Sequence, residues 1–295
     1  MFSRYFYIFC GLLIGLALPN PALTETFAPL NPALTETFAP LNIAACPTDP
    51  LAPAITPRIE IDTRGGPTIG SMQYANGGGL KHKEIALTFD DGPNPDVTPR
   101  ILDILDKHCI KATFFMVGIY AKAHPELVRE VAARGHMIGT HTWSHPNNLR
   151  RLTSATAKKQ ITRGFAAVET ALASAPPASR AALAPFFRFP GLNDKKSLIT
   201  WLGDHNIATI SCSFGADDWK RINASQVYAR GLREIEQQGR GILILHDTKS
   251  HTADMLSRFI VTLEKRGYHF VQIAPKTTSR TLADATSLGL KKALP

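Results

Sequence analysis

The sequence predicts an α/β fold, a parallel barrel or barrel-like sheet of about seven β/α repeats. Three observations predict it. From Glu84 onward, apolar runs of strand length alternate with stretches of helical periodicity. Several runs, Ile242-Leu243-Ile244-Leu245 above all, are apolar throughout and read as buried strands. The runs end in carboxylates, histidines or an arginine, and in such sheets functional side chains gather at the carboxyl ends of strands.

Taken in order, Glu84–Phe89 is an apolar strand stopped by Gly92-Pro93, a turn signal. A helix follows at Val97–His108, with Leu102, Ile104 and Leu105 on one face and Pro99 in the first turn, where proline is tolerated. Strand Lys111–Val117 precedes a helix at Pro125–Arg134, which Gly135 ends. Met137–Thr140 is a short strand, and Ser154–Leu172 is a long helix broken by Ala175-Pro176-Pro177. Strands are expected at Phe186–Phe189, Ala208–Ser213, Gly241–Leu245 and Tyr268–Ile273. Helices at Lys195–His205, Ala224–Gln238 and Thr252–Arg266 separate them.

The flanks have a different texture. Arg4 precedes the apolar run Tyr5–Leu18, which has the n-region and h-region of a secretory signal and is short for a membrane span. Residues 1–22 are therefore expected to be a signal peptide or N-terminal anchor, with the protein exported to the periplasm, cell envelope or medium. Asn20–Leu30 is repeated letter for letter as Asn31–Leu41, a single 11-residue duplication rather than a solenoid. Pro-rich and Gly-rich sequence continues through Gly77-Gly78-Gly79. Residues 23–80 are thus expected to be a linker, 81–275 the folded domain and 276–295 a polar tail. The net charge is +9, but Lys and Arg are scattered rather than striped, so no nucleic-acid partner is expected. An anionic envelope polymer suits that balance. Cys10 falls in the leader. Cys46 reads as a linker cysteine, and Cys109 and Cys212 read as small core residues.

Five clusters at strand ends carry candidate chemistry. Asp90 and Asp91 adjoin each other, and two carboxylates at one sheet mouth suit one metal ligand and one base; a plain turn is the alternative. His141 and His145, spaced i and i+4, share one side of a helical turn and can chelate one ion, with Asp91 completing a two-histidine, one-carboxylate set. Isolated, such a pair is more often structural. Arg188 can hold a carboxylate base ionised, and a backbone N–H after Pro190 can serve an oxyanion. Asp217-Asp218-Trp219 offers a carboxylate to orient a histidine and an aromatic wall for a sugar or acyl group, or is simply a loop. His246 stands at a strand end as an acid whose pKa Asp218 would raise, or as a core histidine.

The ordered series TFDDGP, HTWSH, FRFPG, DDW and LILHD resembles the polysaccharide deacetylase family, also called the NodB homology domain or carbohydrate esterase family 4, from about Lys83 to Pro275. The resemblance implies a deformed (β/α)7-type barrel with a single catalytic domain. It also implies one divalent metal, zinc or alternatively cobalt or nickel, held by Asp91, His141 and His145. By the same resemblance Asp90 is the base for the metal's water and His246 the acid. Arg188 steers Asp90, Asp218 tunes His246, and Pro190, Gly191, Trp219 and Ile244 form the substrate pocket. The implied reaction removes N-acetyl groups from amino sugars of a polysaccharide such as peptidoglycan. A deacylase of another acyl-amino sugar or small amide, and a silent glycan-binding module, are the alternatives. Two departures stand out: Gly191 follows Pro190 where the family often has tyrosine, and Gly215 occupies the place of a usual aspartate.

Overall fold

The computed structural model describes residues 56–276. The leader, the duplication, Cys46 and residues 277–295 of the tail lie outside that range. Among the described residues ten strands form one sheet, and every pairing is parallel. Strand β3 (Glu84–Asp90) is its axis, lying beside β9 (Gly241–His246) along almost its whole length, with Asp90 in register with His246. On the other side β3 meets β4 (Thr113–Met116), then β5 (Met137–Thr140), β6 (Leu183–Phe187) and β7 (Ala208–Ile210). The chain from β7 runs on into β8 (Phe214–Gly215), which pairs with β9. This segment carries pairing from β6 back towards β9, and the sheet curls as the barrel expectation requires. The expected strand Ala208–Ser213 thus ends at Ile210, and pairing resumes only at Phe214, with a different neighbour.

Helices cover the outside: α1 (Thr98–Lys107), α2 (Gly118–Ala123), α3 (Pro125–Ala133), α4 (Ser154–Leu172), α5 (Pro177–Arg180), α6 (Lys196–Asp204), α7 (Ala224–Gln238) and α8 (Ser250–Lys265). Their ends follow local chemistry. Thr153 caps α4 by accepting from the Thr156 N–H. Asn223 and Gln226 form a reciprocal capping box on α7, and Gly239 ends that helix in the left-handed conformation. One large core lies between helices and sheet, and a second fills the inside of the curl, around Ile69, Phe115, Phe186, Ile210 and Ile242.

Two expectations need correction. Residues 56–80 are not linker: β1 (Arg58–Ile61) pairs with β10 (His269–Pro275), and β2 (Thr68–Ile69) pairs with β7. Ile61, Ile69 and Leu80 are buried in the inner core. The glycines that made the stretch resemble a tether instead fit close approaches; Gly70, at φ +122°, lies where a Cβ would collide with the Ser211–Cys212 backbone. Cys109 is disulfide-bonded, whereas Cys212 is free and buried as expected. Among the described residues no helix is long and apolar enough to cross a membrane.

Candidate active site

At the carboxyl end of β3 the chain must aim two successive carboxylates into one cleft, against the alternation of a strand. It does so by placing Asp91 in the left-handed region, at φ +76°. Asp90 stays buried on the strand, and Asp91 swings towards the histidines after β5. His141 and His145 are not on a helical turn. Their segment is irregular, with Thr142 at φ +68° and His145 at φ +52°, and the two rings stand 4.8 Å apart, centroid to centroid. Non-glycine residues in this region store strain that surrounding packing must hold. Here the Thr142 and Trp143 carbonyls accept from the Gly118 and Ile119 N–H groups at the start of α2.

His141 Nε2 lies 3.6 Å, and His145 Nε2 3.2 Å, from Asp91 Oδ1. One ligand atom from each of the three residues falls within 4.8 Å of the others. Three features fit a divalent ion. Asp91 Oδ1 is buried without a hydrogen-bond partner. His141 Nδ1 lies 2.8 Å from the Arg188 carbonyl, so that N–H donates there and the Nε2 lone pair faces Asp91. Burial pushes the His141 pKa down to about 3, which keeps the ring neutral, the ligating form.

Asp90 is held from the opposite side. Arg188, fully buried after β6, donates to Asp90 Oδ1 at 2.7 Å and to Thr88 Oγ1 at 2.8 Å. Its remaining donors reach the Ile210 and Ser211 carbonyls, at 3.0 and 2.8 Å, and its guanidinium stacks 4.1 Å from the Phe115 ring centroid. Burial raises the Asp90 pKa, and the Arg188 and His246 charges oppose that rise.

His246 closes the cleft from β9. Its Nδ1 lies 2.7 Å from Asp218 Oδ1, and its backbone N–H donates to Asp218 Oδ2 at 2.7 Å. Thr252 at the start of α8 donates to the same oxygen at 2.7 Å. Burial alone would depress the His246 pKa. The Asp218 hydrogen bond and charge, with Asp90 and Asp91 nearby, outweigh it and lift the pKa to about 9. With Nδ1 engaged, Nε2 points to the cleft, 4.0 Å from Asp91 Oδ2.

The cleft has a volume of about 720 Å³. Asp90, Asp91, His141, His145, Asp218 and His246 line it, together with Gly191, Trp219 and Ile244. Arg188 lies beneath the lining. Pro190 is a correction: it is buried and does not line the cleft, and Phe189, Gly191 and Leu192 form that wall. Sequence reasoning also missed Met72. This residue is 52% exposed and lines the cleft from the stretch expected to be linker. Its segment is strapped down: Gln73 donates to the Leu192 carbonyl at 2.7 Å, and the Tyr74 hydroxyl to Asp194 at 2.8 Å. No periodicity marks this strap. Arg230 and Arg233 on α7, at the rim, were likewise hidden among ordinary helix-surface charges.

A curled parallel sheet whose mouth holds a ligand cluster between a buried carboxylate and a carboxylate-bound histidine defines a hydrolase of the α/β-barrel class. Comparison with known proteins gives the family. Residues 77–208 match the family model described as polysaccharide deacetylase. The chain is 30% identical over 224 residues to the peptidoglycan-N-acetylglucosamine deacetylase of Bacillus cereus, covering 78% of it and 73% of this chain. It is 31% identical over 197 residues to the chitooligosaccharide deacetylase of Sinorhizobium fredii, covering 87% of it and 62% of this chain. Among solved structures, a peptidoglycan deacetylase of Bdellovibrio bacteriovorus superposes with a TM-score of 0.66 at 31% identity, over 76% of this chain and 60% of that one. The chain belongs to the polysaccharide deacetylase family.

Proposed function

We propose that this chain is an exported, zinc-dependent deacetylase that hydrolyses the N-acetyl groups of amino sugars in a cell-envelope polysaccharide such as peptidoglycan, releasing acetate. The observation that carries the reading is the placement of the Asp91–His141–His145 cluster between the Arg188-bound Asp90 and the Asp218-bound His246. Relatives named as deacetylases of peptidoglycan and of chitooligosaccharides support the same reaction. An ion on the cluster, zinc by preference with cobalt or nickel as alternatives, would polarise the amide carbonyl and make a nearby water more acidic.

The chain's own groups supply the rest. Asp90, held by Arg188, takes the proton of the attacking water. The Gly191 backbone N–H, after Pro190, donates to the oxygen on which charge develops. His246, with Nδ1 fixed by Asp218, presents its Nε2 proton to the sugar nitrogen, because an amine leaves only when protonated. Trp219 and Ile244 wall the space for the acetyl methyl and the sugar ring. The apolar run at Tyr5–Leu18 and the disulfide at Cys109 support export, since disulfides persist in oxidising compartments.

The test is acetate release by the full chain from chitopentaose, peptidoglycan and a small acetylated sugar, after EDTA treatment and again after zinc is restored. Zinc-restored release from a polymer is expected. Absence of release from all three, with zinc tightly bound, would overturn the reading.

A further inference from the structure

A second depression of about 640 Å³ lies beside the catalytic cleft, and Trp219 lines both. Trp219 is 63% exposed, and the Lys220 ammonium lies 5.1 Å from its ring centroid. Beyond the ring the lining changes character. Among the described residues it comprises Lys220, Arg221, Lys249 and His251 with Ile222, Asn223 and Gln226, and no carboxylate. Lys220 is neutralised in part by Asp217 at 2.8 Å. Arg221 and Lys249 have no ion-pair partner among the described residues. Lys249 also lines a third depression, which Asp91 and His145 line as well.

The groove is tied mechanically to the catalytic centre. His251 Nε2 hydrogen-bonds the Asp218 carbonyl at 2.6 Å, and Asp218 carries His246 on its side chain. Trp219 is the next residue. A saccharide whose acetamide reaches Asp90 and His246 can therefore rest a ring on Trp219 and pass directly among the cations. Uncompensated cations in a groove favour an anionic partner, and the planar fork of Arg221 matches a carboxylate.

The geometry points to a carboxylate-binding subsite formed by Arg221 and Lys249, which selects acetylated glycans bearing a carboxylate on the unit adjoining the one deacetylated. This rests on the deacetylase reading and narrows it: a glycan with carboxyl-substituted alternate sugars is preferred over a neutral N-acetylglucosamine chain.

The experiment compares the zinc-loaded full chain with the double variant Arg221→Gln/Lys249→Gln. Both are assayed on a neutral N-acetylglucosamine pentamer and on a glycan strand with carboxylates on alternate sugars. The variant is expected to show a KM about tenfold higher for the carboxylated strand and an unchanged KM for the neutral one. Added salt should weaken the carboxylated strand's binding to wild type and affect the variant less. An equal change on both substrates, or on neither, overturns the inference. Binding of the carboxylated strand to wild type and variant is measured in parallel by calorimetry. If neither substrate turns over, the deacetylase reading fails. The calorimetry still decides the subsite: about tenfold weaker binding by the variant upholds it, and equal binding overturns it.

Discussion

Arg188 is wholly enclosed, and an enclosed guanidinium is tolerable only because its donors are met by Asp90, Thr88 and two backbone carbonyls. Replacing it with methionine leaves Asp90 buried without its counter-charge. Arg188→Met should cost about 3–5 kcal/mol in urea denaturation and lower kcat sharply. Unchanged stability would show that the buried Asp90 does not depend on Arg188 for its counter-charge. Asp90→Asn keeps the shape but removes the carboxylate that we propose as the base. It should abolish acetate release, a loss of at least about a hundredfold, while zinc still binds with near-normal affinity. Normal turnover in that variant would sink the assignment. At this scale the sequence was highly legible, since every charged or imidazole candidate lies in one constellation. Left-handed backbone at Asp91, Thr142 and His145 does the assembling, and no residue-type signal announces it. Pro190 was misplaced because a turn residue's side chain can face the core as readily as the cleft.

Elements position the histidines by close packing. Gly164 in α4 lies where a Cβ would come within 2.9 Å of the Thr142 carbonyl, and Gly118 in α2 where one would come within 2.8 Å of the Trp143 ring. Gly164→Ala should therefore shift the segment carrying His141 and His145 and weaken zinc affinity about tenfold or more, measured by chelator competition. Unaltered affinity would show that the helix does not set that segment. The long strands and helices were legible because burial imposes their periodicity. β1 and β2 were not, because they lie in a Pro- and Gly-rich stretch that reads as a tether, and β8, of two residues, is too short to display a period. The consequence is measurable. Deleting everything before Lys83 removes Ile61, Ile69 and Leu80 from the inner core. At about 2 kcal/mol for each side chain, plus two lost strand pairings, that rivals a typical domain's total stability. The truncated chain should be insoluble or should lose its cooperative melt; a wild-type Tm would refute the structural role of residues 56–80.

For the molecule as a whole, pH acts through buried neutral histidines. His136 is fully buried beside Phe114, and its Nδ1 accepts the Ala112 N–H at 3.0 Å. Burial pushes its pKa down from 6.5 to about 3. The unfolded chain therefore binds a proton that the folded chain refuses. The contribution is complete above the unfolded value and is lost as pH falls towards the folded one. His136 should account for about 2 kcal/mol of lost stability between about pH 7.5 and pH 5. Urea midpoints at both pH values would show this, and His136→Phe should reduce the difference by about 2 kcal/mol, leaving what His141 contributes. An equal fall in the variant would assign the acid sensitivity elsewhere. The overall architecture was legible from strand–helix alternation, but the domain's true start was not, because glycine required by close approach looks like glycine in a tether. The Met72–Tyr74 strap has a consequence of another kind. One jaw of the cleft is borne by a short peptide outside the stretch that matches the family model, while the reactive groups sit in the barrel. The bite and the chemistry are therefore separable parts. A graft within the β2–β3 connection is an economical way to retool which sugars are gripped, leaving the hydrolytic apparatus as it stands.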